Sequence, residues 1–208
     1  MKNTDLVLTL GQRLSLLACI FIVCYVLTAG MAYMLGRVIT ENAAAAIRIT
    51  TMVQDVMAFV VPAVATACVV TRRPADLLCI RSLKGLWTIP ILVAVLILSI
   101  PAQEALIEWN NNISLPSEAE NFFRSLEDAA ASSMRLLIAD TSVPSLIMNI
   151  LIIGLAAGFS EELLFRGCFQ RLLVTGGVNV HVAIWTVAAV FSAMHLQAYG
   201  FVPRMLLG

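Results

Sequence analysis

The sequence predicts an all-α fold, a polytopic transmembrane helical bundle, and three observations predict it. Hydrophobic residues make up 60% of the chain and charged residues only 12%, against about 25% charged in an ordinary soluble domain. Several apolar runs reach the roughly 20 residues that a helix needs to cross a bilayer. Two polar loops between those runs carry opposite charge. The net charge over 208 residues is zero, so no basic field marks nucleic acid as a partner.

The spans follow in order. The first run, 14–36, is too long for the apolar core of a cleaved signal peptide and reads as a retained first span. Further spans read at 51–71, 86–101, 145–170 and 180–198, and the start of a sixth lies near Tyr199 and breaks off at Gly208. No internal repeat or low-complexity linker divides the chain. Residues 1–208 are therefore expected to form a single membrane domain, a bundle enclosing an intramembrane cavity. Cys19, Cys24, Cys68, Cys79 and Cys168 scatter in or beside apolar segments without a CxxC pair. They read as small buried hydrophobes.

Orientation comes from the loops. Thr71 to Gly85 holds Arg72, Arg73, Arg81 and Lys84 against the single acid Asp76, whereas 102–144 holds seven acids against Arg124 and Arg135. The positive-inside rule puts the first loop in the cytoplasm and the second outside. Lys2 and Arg13 agree, placing the N-terminus inside, while Arg37 and Arg48 in the 37–50 loop run mildly against it. Within the outer loop, Ser117 and Glu120 have capping-box spacing. Phe122, Leu126, Ala130, Met134 and Leu137 then recur at helical intervals, which predicts an amphipathic helix on the outer surface.

The fourth span carries the chemistry. Its stretch GFSEELLFRG, Gly158 to Gly167, sets three charges in a run where each costs about 2.5–3.5 kcal/mol to insert. Groups at that depth face a bundle interior or a water-filled cavity. Arg166 lies four residues after Glu162, the favourable order for a helical ion pair. Glu161 is turned about 100° away on the helix, toward other work. On the next span Phe191 and His195 are also four apart, whereas His181, the other histidine, falls near the interface. A glutamate beside a histidine in a partly dry cavity can activate water as a general base. Neither Ser160 nor Cys168 has the surroundings of a nucleophile. Glu161, Glu162 and His195 could in principle supply three zinc ligands, but Arg166 competes for a carboxylate and repels a cation. A site without metal or cofactor is the expectation, with zinc the weaker alternative.

These residues resemble a known family. Glu161, Glu162 and Arg166 fit EExxxR, and Phe191 and His195 fit FxxxH, on consecutive spans about thirty residues apart. The pair resembles the CPBP family of intramembrane endopeptidases, the type II CAAX prenyl endopeptidases and their bacterial Abi relatives. The resemblance covers mainly 146–208, and the earlier spans match only as generic apolar helices. It implies a cavity open to the cytoplasm, with Glu161 as the base that activates water and His195 assisting. Glu162 and Arg166 would hold the site together and Phe191 would pack against it. It further implies a membrane-associated peptide or protein substrate and, for a bacterial member, residence in the inner (plasma) membrane.

One departure stands beside that likeness. The family's third motif, a histidine followed four residues on by asparagine or aspartate, does not occur before Gly208. YGFVPRMLLG reads as the opening of the span before it, so the chain is expected to be C-terminally truncated. The rival classes are a non-catalytic scaffold or bacteriocin-immunity protein on the same fold and, less favoured, a transporter. The chain lacks the second half with matching Gly/Pro-broken spans that many transporters show.

The loop charges generate a topological prediction. Cysteine labelling at Ser82 should report the cytoplasm and at Ser117 the outside. Reversed accessibility would overturn the orientation.

Overall fold

The computed structural model describes residues 8–39, 42–80, 85, 87–112 and 116–207. Lys2, Arg81, Ser82, Lys84 and Gly208, which entered the reading of orientation and chain end, lie outside the described residues. Every regular element among those described is helical. In order they are α1 (Leu10–Val38), α2 (Ala43–Val70), the short α3 (Pro74–Leu77), α4 (Thr88–Asn111), α5 (Ser117–Ile138), α6 (Val143–Thr175), α7 (Val180–Met194) and α8 (Phe201–Leu207). Helices α1, α2, α4 and α6 are long and apolar enough to cross a membrane, and α7 is a shorter apolar helix. The protein is an integral membrane protein of the all-helical class.

The helices run longer than the hydropathy pattern suggests because polar side chains extend their ends. Thr9 caps α1 in a capping box: its hydroxyl accepts from the Gln12 amide at 3.4 Å, and the Gln12 side chain accepts from the Thr9 amide at 2.9 Å. Asn42 caps α2 by accepting from the Ala45 amide at 2.9 Å. Most of the expected 37–50 loop is therefore helix. Ser117, whose spacing predicts a cap, instead stands inside the first turn of α5. There the Pro116 carbonyl accepts from the Glu120 amide at 2.8 Å. The span expected at 180–198 ends at Met194, since Leu196 adopts φ +53 and turns the chain.

The chain divides into two compact units, Met1–Ile80 with Ala131–Ala183, and Arg81–Ala130 with Ile184–Gly208. In the first unit α2 is the central helix, packed on α1 and on α6. Lipid tails are as apolar as leucine, so apolar burial drives this association weakly and close packing must do it. Ala58, Ala63 and Ala67 on α2 are fully buried, and their small size lets neighbouring backbones approach. Phe59 meets Phe165 of α6 with ring centroids 6.3 Å apart. A polar clamp holds the start of α6. Arg48 donates to Asn149 Oδ1 at 2.9 Å and to the Ser145 hydroxyl, while Asn149 Nδ2 donates to the Leu137 carbonyl at 2.8 Å.

In the second unit α4 packs on α8 and on the turn before it. The apolar residues of α4, Ile91 to Leu98 among them, are exposed, as a lipid-facing helix requires. Helix α5 forms where the spacing predicts an amphipathic helix. Phe122 and Met134 are exposed and Leu137 is buried, whereas Phe123 faces a cavity of the second unit.

Two glycines of α6 test this packing. A Cβ on the buried Gly167 would stand 3.0 Å from the Leu78 carbonyl oxygen, backbone that cannot move aside, whereas one on Gly154 would meet nothing within 4 Å. Gly167→Ala should cost about 1–3 kcal/mol by overpacking. Gly154→Ala should be neutral or stabilising by up to about 1 kcal/mol. Melting of the two purified variants in one detergent checks the order, and a lower midpoint for Gly154→Ala would reject it.

Candidate active site

Glu161, Glu162 and Arg166 lie in the first unit, and Phe191 and His195 in the second. Each group is assembled within its own unit. Helix α6 is not uniform: the α-helical stretch Ala157–Glu162 lies between two π-helical segments, Ile150–Ala156 and Leu163–Gln170. The Ala157 amide reaches back five residues to the Ile152 carbonyl as well as to Gly154. Such widened turns occur mostly as single insertions and often at functional sites. Both glutamates therefore sit on a short α-helical island.

Glu162 Oε1 is 3.1 Å from Arg166 Nη1, across one helical turn. The Glu162 side chain is 60% exposed and that of Arg166 22%. This pair is half open rather than sealed, and pairs of that kind contribute about 0.2–1 kcal/mol. Glu161, on the next azimuth, is half-buried and takes part in further contacts, as does Arg166. The Ser160 hydroxyl is buried and donates to the Ala157 carbonyl at 2.8 Å. Cys168 is a fully buried free thiol, a packing residue.

The histidine is held by its own helical turn. His195 Nδ1 lies 2.9 Å from the Phe191 carbonyl oxygen. A carbonyl can only accept, so Nδ1 carries the hydrogen, and a neutral imidazole then presents a bare Nε2. The Phe191 ring meets the imidazole edge to face, with centroids 4.9 Å apart and planes at 71°. The spacing of four thus supplies two contacts from one residue, a carbonyl and a ring.

The turn beyond His195 is fastened from three directions within the second unit. The Ser192 hydroxyl donates to the Phe201 carbonyl at 2.6 Å, and buried Asn110 donates from Nδ2 to the Ala198 carbonyl at 2.9 Å. The Tyr199 amide donates to Glu127 Oε1 at 3.1 Å. On α5 the Arg124 guanidinium lies 4.8 Å over the Tyr199 ring. Its side-chain bond to Glu120, and then Tyr199, hold Arg124 above its ordinary pKa. Leu196, next to the histidine, has φ +53, a left-handed conformation costly for a side chain with a Cβ. Strain of this kind collects at functional sites. Beneath the turn lies a cavity of about 390 Å³ lined by Asn110, Phe123, Ser192, Gln197 and Phe201 among others.

Among the described residues, no three His, Cys, Asp or Glu side chains converge as a metal-ligand set. Sequence spacing overlooked four residues that the structure brings into view. Leu196 acts through its backbone conformation, and Asn110 and Ser192 through side-chain bonds to carbonyls elsewhere in the chain; none carries a local signal. Asp55, buried within α2, was legible as an acid inside an apolar run.

Residues 143–208 match the family model described as type II CAAX prenyl endopeptidase Rce1-like. No curated protein and no solved structure matches the chain.

The Phe191 contact generates a prediction. Nitrogen NMR of histidine-labelled protein above the imidazole pKa should show Nδ1 of His195 protonated and Nε2 bare. Phe191→Ala removes an aromatic contact worth about 0.5–1.5 kcal/mol but leaves the carbonyl, so the tautomer should persist while the ring gains mobility. A protonated Nε2 in the unmodified protein would reject the bond.

Proposed function

We propose that this membrane protein, Rce1-like over residues 143–208, hydrolyses a peptide bond in a membrane-associated protein or peptide using glutamate-activated water. At the family level it is an intramembrane CAAX-type endopeptidase. The observation that carries the finer reading is the presence of complete EExxxR and FxxxH motifs, Glu161 to Arg166 and Phe191 to His195, inside the matched segment.

The chemistry follows from the groups available. Glu161 takes a proton from water as the oxygen attacks the scissile carbonyl, forming a tetrahedral oxyanion. The C–N bond then breaks, and the proton passes to the departing amine, leaving a new carboxylate and a new amino terminus. His195, with Nδ1 committed to the Phe191 carbonyl, keeps Nε2 as a free acceptor, and by the family resemblance it assists the base. Glu162 anchors Arg166, and the pair keeps a fixed cation one turn from the base. That cation disfavours a second positive charge, which supports water activation by proton transfer over activation by zinc. The reading takes residues 1–208 as one membrane domain, with the N-terminus cytoplasmic in a bacterial inner membrane.

The test uses full-length protein and a lipid-anchored peptide substrate in detergent or vesicles. Glu161→Gln should lower turnover by at least about 10²-fold, the usual contribution of a general base, while melting stays near that of the unmodified protein. Activity should survive exhaustive chelation. Stoichiometric zinc, with activity lost on chelation and restored only by zinc, would reject the metal-free mechanism. Full turnover by Glu161→Gln would reject the base.

A further inference from the structure

Helix α7 stops at a place its own sequence does not choose. No glycine or proline stands between Val180 and Tyr199, so local propensity would let the helix wind on. A left-handed residue just past a helix end is usually glycine, and here it is Leu196, at φ +53. The last turn is tightened. The His195 amide donates to the Ser192 carbonyl at 3.3 Å and the Leu196 amide to the Ala193 carbonyl at 3.0 Å, three residues back rather than four.

Two side chains from other helices of the same unit hold this break. Asn110, near the end of α4 and 2% exposed, donates from Nδ2 to the Ala198 carbonyl at 2.9 Å. Glu127 of α5 accepts from the Tyr199 amide at 3.1 Å. In a continuing α-helix the Tyr199 amide would donate to the His195 carbonyl, and the Ala198 carbonyl would accept from the Val202 amide. Each side chain thus bonds a backbone group that a continuing ladder would use. The Arg124 guanidinium, 4.8 Å over the Tyr199 ring, presses on the same turn from α5.

We propose that Asn110 and Glu127 are positioning residues for His195: they end α7 at the histidine and so fix where its imidazole points. The proposal rests on the reading of His195 as the group that assists Glu161. Were α7 to wind on, the His195 amide would turn to the Phe191 carbonyl, the acceptor that Nδ1 uses at 2.9 Å. The imidazole would then compete with its own backbone for that oxygen. Misplacement of a reacting group by about 1 Å can cost about 10²-fold in rate. A backbone carbonyl in apolar surroundings has few partners to replace a lost side chain. Removal of Asn110 therefore favours the continued ladder, which satisfies the carbonyl from within.

The test compares Asn110→Leu, Glu127→Leu and Glu127→Gln in full-length protein on a lipid-anchored peptide, with His195→Gln as control. Asn110→Leu and Glu127→Leu should each lower kcat about 10–100-fold with KM unchanged. Glu127→Gln keeps an acceptor oxygen for the Tyr199 amide and should recover most of the loss seen with leucine. Nitrogen NMR of histidine-labelled protein gives a readout independent of cleavage, the His195 signals being those absent from His195→Gln. The Nδ1-protonated tautomer should dominate in the unmodified protein and in Glu127→Gln, and give way to a mixture in the two leucine variants. Glu127 is half-buried on α5, so its variants keep the test open if Asn110→Leu fails to fold. An unchanged tautomer and wild-type kcat in folded Glu127→Leu protein, with His195→Gln impaired, would overturn the proposal alone. Full turnover by His195→Gln would instead remove the reading of His195 as an assisting group, and the tautomer would still judge the two bonds.

Discussion

A peptide group in hydrocarbon has no water to turn to, so each N–H and C=O must be satisfied within the protein. Most of this structure is a response to that constraint. It makes the spanning elements helical and places side-chain caps where the ladders begin, at Thr9, Asn42 and Ser142. It also governs how the ladders are interrupted. Pro62 cannot donate to the carbonyl four residues before it, and the turn preceding it widens, so that the Val61 amide reaches the Val56 carbonyl. Where α7 stops, the Asn110 side chain supplies a donor to the Ala198 carbonyl from another helix. A helix interrupted at the right place becomes a mount for side chains that a regular helix would direct elsewhere.

Three polar arrangements in the first unit show how differently charge can be accommodated. Arg48 donates to the neutral side chains of Asn149 and Ser145 and ties the start of α6 to α2. Glu162 and Arg166 form a local pair that remains half open, and such an exposed pair adds little stability. Asp55 is buried, with Oδ2 lacking a hydrogen-bond partner among the described residues.

The second unit solves a different problem, that of holding a helix end still. His195 is one residue beyond α7, where helices ordinarily fray. Its ring is secured by the carbonyl and ring of Phe191, and the chain after it by Ser192, Asn110 and Glu127. Helix α5 contributes through Glu127 and Arg124, which gives the predicted surface helix a structural task at this turn.

By itself the sequence determined the class of protein, the existence of the spans though not their ends, and the partners that lie one helical turn apart. Apolar run length and a spacing of four are local quantities, so Glu162 with Arg166 and Phe191 with His195 could be read directly. The tertiary structure alone decided what depends on distant chain. The clamp of Arg48 on Ser145 and Asn149 joins residues about one hundred apart, and the spacing that exposes a helical pair is blind to such a contact. The π-helical segments around Ala157–Glu162 and the left-handed turn at Leu196 were equally hidden. Local propensity favours neither, and both persist because packing and hydrogen bonds from other helices outweigh what their own residues prefer.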